Sequence, residues 1–550
     1  MSRRNNTASS LKGGVASKSK NKTTTNRTKA RFPLFGRFTK VLLSHPWLTM
    51  LVALWAFLYF FYGDVMRIAP YRSFFAFSAQ AMEYWLCQPL GWLYVVGRFL
   101  LMANVWPLCG TFLLAAMLSL AARFLDYALA LKGWGRTVAF VAPFVYFGFL
   151  FYRGLNLFYQ NEPSWIMNWP LLALVVSVLL ATVRRLLKGR ANSASVEAKP
   201  MIKAVLAVFV AMWVGCAAMA LTYAQNDRLT CAMEREIFDE DWDAMADLAK
   251  SAHRPSRTVA AYYALALNQN GQLASELFNI PYQYPNAHLT RAGGVFDGGI
   301  DYVVVDCNLF SGLTRSAYHE AMEQNVLEGH TIHRLERMVQ CALIDGERAL
   351  ADKYLTILKS VPFEGDFVEK YSAMLADSTL VMQNSMLASI IELQPVHDNF
   401  EQNYREPLFL GYNLALQEAK TVRGLNNSLY ACLYTKDMKA FGQRILTMIE
   451  NGVRLPKIYE EAIVVQNIKN LGVLKQIKLS PYVLKEMREF MGECFTKQDL
   501  ASGKDKTEMQ KEKGRKYKKY LGTYEYYYYF QNIPDENYIV PGQEEKGGVN

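Results

Sequence analysis

Five apolar runs without a charged side chain fill the first part of the chain: Val41–Tyr62, Phe99–Ala122, Thr137–Tyr152, Pro163–Val183 and Ala204–Ala224. A hydrocarbon core of about 30 Å is crossed by ~20 helical residues, so these runs predict a transmembrane bundle over 41–224, with spans near 41–62, 99–122, 137–152, 163–183 and 204–224. A further stretch, Tyr84–Gly97 (YWLCQPLGWLYVVG), lies between Glu83 and Arg98 and contains Pro89 and Gly91. It is too short to cross and carries rings that suit the headgroup boundary. It reads as re-entrant or interfacial, with Trp85, Trp92 and Arg98 as lipid-interface residues. Arg153, just past the third run, joins them as a side chain that snorkels to the boundary.

After Ala224 the pattern changes to short amphipathic segments. Trp242, Met245 and Ala249 mark a helix over about 241–252, and a second follows Pro255. Ile332, Leu335, Val339 and Ala342 recur at helical spacing up to Asp345-Gly346, then Leu350, Tyr354, Leu358 and Val361 up to Pro362. Met438, Phe441, Ile445 and Met448 repeat the pattern, and Ile458, Ala462, Val465 and Ile468 follow Pro456. Helix pairs separated by brief turns predict an all-α protein whose second half, 225–500, is an α-solenoid of tetratricopeptide-like pairs. Residues 281–299 interrupt it with Pro281, Pro285 and a Gly-rich loop, and Tyr302–Val305 is read as helix.

Charge divides the same way. Residues 1–224 carry 24 Lys and Arg against 5 acids, and residues 225–550 carry 36 against 44. The net charge of +11 therefore implies nothing about nucleic acid, and none is expected as a partner. Residues 1–40, with 11 basic residues and no acid, form a disordered basic tail. With five spans the tail and the cluster Arg184, Arg185, Lys188, Arg190, Lys199 and Lys203 fall on one side, as the positive-inside rule requires. Residues 225–550 then lie opposite: periplasmic, on a protein of the cytoplasmic membrane. The lipid bilayer is one partner.

Candidate chemistry is sparse. The spans carry no acid, and their one histidine, His45, stands near the start of the first, so nothing marks an ion path. His330, His333 and Glu336 lie on one helix and could share a metal, but Ile332 and Leu335 already form its packing face, so no metal site is expected. His319 reads as a bonded helix residue. The eight Cys lack paired metal spacing, and no phosphate loop or nucleophile elbow is present, so no cofactor is implied. Asp64, with Glu83, Glu162, Arg67 and Arg72 on the same outer side, is the one catalytic candidate, for an enzyme acting on a lipid-linked sugar. Residues 501–516 read as a solvated basic linker and 517–550 as a Tyr-rich terminal helix and tail. Tyr520, Tyr524 and Tyr527 are its candidate partner-binding rings, although such a helix more often caps a stack.

The stretches QPLGWLYVVGRFLL (88–101), GLTRSAYHEAMEQ (312–324), LNNSLYACLYTKDMKAFGQRI (425–445), LPKIYEEAIV (455–464) and GTYEYYYYF (522–530) carry a resemblance. The chain is similar to a family of multi-pass membrane proteins from Bacteroidota with a tetratricopeptide-like C-terminal half. The resemblance implies architecture and envelope location, and no activity. The function expected is the binding or scaffolding of another envelope protein by the helical repeats, with a membrane-embedded glycosyltransferase as the alternative.

Overall fold

The chain is described by a computed structural model over residues 45–129, 135–153, 163–188, 199–222, 225–283, 300–396, 420–450, 452, 454–468, 477–495 and 506–532. Every regular element among these residues is helical. The apolar runs give α1 (Pro46–Ile68), α2 (Ala79–Leu86), α3 (Gly91–Leu101), α4 (Pro107–Leu129), α5 (Gly135–Arg153), α6 (Trp165–Lys188) and α7 (Lys199–Thr222). The second half contributes α8 (Gln225–Asp239), α9 (Trp242–Lys250), α10 (Arg257–Gln269), α11 (Leu273–Glu276), α12 (Ile300–Phe310), α13 (Thr314–Glu328), α14 (Ile332–Ile344), α15 (Arg348–Leu358) and α16 (Gly365–Ala376). It ends with α17 (Thr379–Gln383), α18 (Ser385–Leu393), α19 (Val422–Thr435), α20 (Met438–Glu450), α21 (Lys457–Ile468), α22 (Pro481–Cys494), α23 (Lys506–Lys516) and α24 (Tyr524–Phe530). Residues from Pro46 onward make one unit. The N-terminal tail to residue 40 and most of the Gly-rich loop lie outside the described residues.

Among the described residues three helical stretches are long and apolar enough to cross a membrane: Pro46–Arg72, Pro107–Leu129 and Trp165–Leu187. A fourth is reached if Ala207–Thr222 and Gln225–Asp239, bent by 69°, count as one broken span. Antiparallel packing of α1 on α4 follows from Arg123, 4.6 Å from the Trp47 ring, and from Trp55, whose indole N–H donates to the Leu108 carbonyl at 3.2 Å. Trp213 of α7 donates to the Ala53 carbonyl at 3.1 Å, and Phe209 packs on Phe140 of α5. Gly97 lets α3 approach α6, since a Cβ there would fall 1.5 Å from Asn168 Oδ1.

Two boundaries move from their expected places. Helix α1 runs beyond Tyr62 through Asp64 and Arg67, because both charges find partners, Asp64 with Arg235 at 2.5 Å and Arg67 with Asp239 at 3.9 Å. The run Phe99–Ala122 is split: α3 ends in a 3-10 turn, Met102–Val105, and a new helix opens at Pro107, which lacks the N–H that a continuing helix needs. The stretch 84–97 is the α2–α3 hairpin, turned at Leu90 with φ 59°.

In the second half the helices start on side-chain caps. Asp241, Ser256, Thr331 and Thr421 accept the N–H groups of Ala244, Val259, Arg334 and Gly424. They stop at Gly271 and Gly346, whose φ angles of 68° and 77° favour glycine. Successive helices pack on one another, α8 on α9, α9 on α10, and then α12 through α16 in turn. Helix α24 closes the far end: Tyr527 stacks on Phe278 at 4.4 Å and crosses Tyr282 at 5.2 Å, tying the C-terminal segment to the loop after α11. Residues 506–516, expected as a linker, are helical, because Lys513 is drawn inward and donates to the Cys494 carbonyl at 2.6 Å.

Gly312 supplies a test of this packing. Its φ is 85°, and a Cβ would lie 2.4 Å from the Leu393 carbonyl carbon, whereas Gly346 faces open space. Gly346→Ala should cost about 1 kcal/mol of thermal stability from backbone strain alone, and Gly312→Ala at least about 2 kcal/mol. Equal costs, read from unfolding midpoints, would contradict the close approach of α18 to the α12–α13 turn.

Candidate functional site

The chain puts its charged groups where a hydrophobic core would be expected. Arg72 ends the 3-10 turn Ala69–Arg72 after α1, and its side chain is fully buried. A guanidinium stays charged at any physiological pH, so burying it requires a carboxylate partner. Glu234 of α8 supplies it through a direct ion pair, and the Arg72 guanidinium also lies 3.2 Å from the Tyr302 ring centroid.

A second carboxylate, Asp306, sits beside this pair on the apolar helix α12. It accepts hydrogen bonds from the Tyr262 hydroxyl at 2.7 Å and from Arg337 Nε at 2.7 Å. His333 Nε2 lies 3.2 Å from Asp306 and 3.8 Å from Glu234, joining the two carboxylates. Arg337 continues to Gln340 at 3.0 Å, and Gln340 donates to the Tyr371 hydroxyl at 2.7 Å on α16. Arg334 pairs with Glu328 at 2.7 Å and stacks on the other side of the network, 4.6 Å from Tyr302. The turn after α1 and the helices α8, α10, α12, α13, α14 and α16 are thereby laced together.

Burial sets the protonation states. It pushes His333 down to about 4 despite the nearby Asp306 carboxylate, so the imidazole is neutral and its Nε2–H is the donor toward Asp306. Asp306 is buried too, but Arg337 and His333 hold it below the usual carboxylate range. Burial raises Glu234 to about 7 while Arg72 pulls it back. Glu336 and Glu364 share a hydrogen bond at the edge of the network, and desolvation with mutual repulsion drives Glu336 well upward. One of these carboxyls therefore carries a proton and donates it to the other.

A separate cleft of about 500 Å³ opens on the surface along α13. It is lined by Arg315, Tyr318, His319, Met322 and Glu323 of α13 and by Leu350 of α15. Val326, 73% exposed, carries its apolar side to solvent. The rim holds Asp345, which accepts from Thr314 at 2.7 Å and from Gln394 at 3.0 Å. The buried network does not line this cleft.

The residues singled out in the sequence are dispersed. Asp64 is tied to Arg235 and Arg72 to Glu234, so the outer-face carboxylate and arginines do not assemble a shared site. Glu83 is exposed, and Glu162 lies outside the described residues. Trp85 is turned inward, 7% exposed against Phe74 and Phe75, because the α2–α3 hairpin folds back on the helical half. Arg98 covers it at 4.7 Å, whereas Trp92 keeps an exposed ring. Arg153 closes α5, and its side chain lies outside the described residues. Tyr524 and Tyr527 are fully buried within the chain's own core, and Tyr520 is half-buried against Phe490, which removes the first two as a partner surface. His330 meets Phe74 while His333 points into the network, so the two do not converge. Among the described residues no three His, Cys, Asp or Glu side chains are placed to hold a metal ion. His319 is exposed in the cleft rather than enclosed in the stack.

The profile of a family of unknown function (DUF6057) matches residues 137–531. The chain belongs to this family. The matched span takes in Glu234, Asp306, His333 and the cleft, and begins after Arg72. No curated protein and no solved structure matches the chain. The family description assigns no activity, so the geometry has to carry the functional reading. Periodicity passed over Glu234, Asp306 and Arg337, yet a signal was there: Asp306 stands inside IDYVVVDCNLF, and a lone acid in an apolar helix needs a buried partner.

The network makes stability depend on pH in a defined direction. His333 has a folded value below its ordinary 6.5, so the unfolded chain takes up the proton first, and this contribution is lost as pH falls from about 6.5 toward 4. Glu234, raised to about 7, acts oppositely, its contribution being lost as pH rises from about 4.5 through 7. Asp306 acts only below about 4. His333→Gln removes the first contribution alone while keeping a donor for Asp306. The midpoint advantage of the wild type over this variant should therefore shrink between pH 7 and pH 5. A constant difference would show that His333 is not held neutral.

Proposed function

We propose that the chain is an integral protein of the cytoplasmic membrane whose helical half is a solenoid facing the envelope, where it binds a segment of another envelope protein. The cleft along α13 carries this reading. Its apolar side is solvent-exposed at Met322 and Val326, and the charged groups Arg315, Glu323 and Glu347 border it. That is the composition of a groove that receives an amphipathic polypeptide segment. The orientation follows from charge: the basic loop between α6 and α7 belongs inside, and the ends of α1 and α7 that meet the helical half belong outside. The antiparallel seating of α1 on α4, and Arg184 near the end of α6 donating to Ala128 at the end of α4 at 3.3 Å, agree with the directions that five spans require.

The enzymatic alternative finds less support. A catalytic carboxylate at Asp64 would need to be available to a sugar, and it is held by Arg235. Asp64 and Arg235 are both partly exposed, so Asp64→Ala should cost at most about 1 kcal/mol of stability and leave envelope glycans unchanged.

Two measurements test the proposal. In a chain with Cys87 and Cys109 replaced by Ser, Lys485→Cys should react with a membrane-impermeant thiol reagent in cells with an intact inner membrane. Reaction only after lysis would reverse the orientation. A photocrosslinking residue at Met322 should give an adduct with an envelope protein that Val326→Asp abolishes. Persistence of the adduct in that variant, or its absence throughout, would remove the cleft as the binding site.

A further inference from the structure

The loop between α15 and α16 presents a large ring to solvent from a backbone that disfavours it. Phe363 has φ 70°, in the left-handed region where a Cβ is crowded, yet its side chain is 53% exposed. Its neighbour Glu364 turns inward to Glu336. The chain thus holds one residue inside and throws the next outward. What the ring meets is Trp106, edge to face at 4.9 Å. Trp106 is itself 55% exposed and directly precedes Pro107, the first residue of a helix long and apolar enough to cross a membrane.

Two more exposed rings extend this face. Phe77 and Phe99, at 64% and 51% exposure, lie 6.3 Å apart, and the Phe77 N–H donates to the Ser360 carbonyl at 2.8 Å, which fastens the segment before α2 to the α15–α16 loop. Four aromatic rings from three parts of the chain therefore share one open surface. An exposed apolar face of this kind needs an occupant. Its continuity with the start of a span decides which one. A ring packed on Trp106 sits at the depth where α4 leaves the hydrocarbon, and that boundary is where aromatic side chains settle. Lys359, exposed in the same loop, supplies a cation at the level of lipid phosphates.

We propose that the α15–α16 loop is a membrane-docking element: Phe363 enters the headgroup–acyl boundary beside Trp106, Phe99 and Phe77, and lays the helical half against the outer leaflet. This rests on the membrane reading above and adds a contact that no span provides. The helical half is then held at two places, by the Arg72 network at the end of α1 and by lipid at Phe363. Any segment reaching the cleft along α13 would approach close to the bilayer surface.

The test uses the full chain in nanodiscs of phosphatidylethanolamine and phosphatidylglycerol, with Cys87 and Cys109 as Ser. Single cysteines at Phe60→Cys, Phe363→Cys, Lys359→Cys and Lys485→Cys carry a small fluorophore, and lipids with a spin label near the headgroup act as quenchers. Phe60 is 74% exposed on α1 and reports on the span itself. The proposal expects labels at 363 and 359 to lose most of their fluorescence to the quencher lipid and the label at 485 to keep its own. Quenching at 60 with none at 363 or 359 would overturn docking and leave the anchoring intact. No quenching at 60 by lipid labelled deeper in the chain would remove the membrane reading and the docking with it. A label at 363 untouched by lipid yet shielded from aqueous iodide would mean that protein, such as a second copy of this chain, covers the face. That too would overturn the proposal.

Discussion

A guanidinium cannot shed its charge to enter a protein interior, so the position of Arg72 dictates what must surround it. It emerges at the end of the first long apolar helix and is enclosed completely. Glu234 must follow it inward, and Glu234 belongs to the first helix of the second half. Once that pair is buried, His333 and Asp306 are recruited around it, and Arg337 and Tyr262 complete the shell. The junction between the two halves is therefore specified by electrostatics more than by shape. An apolar junction of equal size could be as stable, since removing ions from water is costly. Paired charges penalise every misregistered seating, in which a charge would be buried alone.

This junction also takes up Asp64, the carboxylate that the sequence offered as a catalytic candidate. Asp64, Arg67 and Arg72 all point at α8, meeting Arg235, Asp239 and Glu234. Charges that look like catalytic candidates after a span are the contacts by which α1 carries the helical half. The surfaces proposed for recognition are the cleft along α13 and the exposed rings around Phe363. The aromatic helix α24 is likewise used within the chain: Tyr527 packs on Phe278, Tyr282 and Tyr434.

Local order was readable where local physics decides it. Helix faces such as Ile332, Leu335 and Val339 and the stop at Asp345-Gly346 follow from spacing and turn chemistry. The long apolar runs announced their helices, although Pro107 and the paired Asp64 shifted two ends. Partnership was not readable. Arg72 and Glu234 are separated by 162 positions, and nothing in either segment names the other. Lys513 read as part of a solvated basic run, because its acceptor, the Cys494 carbonyl, lies in a helix that only the fold brings near. Trp85 read as a boundary ring because the hairpin that turns it inward depends on contacts with Phe74 and Phe75. The cleft along α13 was invisible for the same reason, since its walls come from three helices.

The seating of the helical half on α1 by paired buried charge is best tested by a double-mutant cycle on Arg72 and Glu234, measured as thermal unfolding of the full chain in nanodiscs. Glu234→Met should lower stability by about 3–5 kcal/mol, because it strands the Arg72 guanidinium, whereas Arg72→Met should cost less at pH 7, where Glu234 takes up a proton, and the double variant should recover most of the larger loss. Single variants with losses that simply add, or with none, would mean that the two groups do not depend on each other and that the junction is held by other contacts.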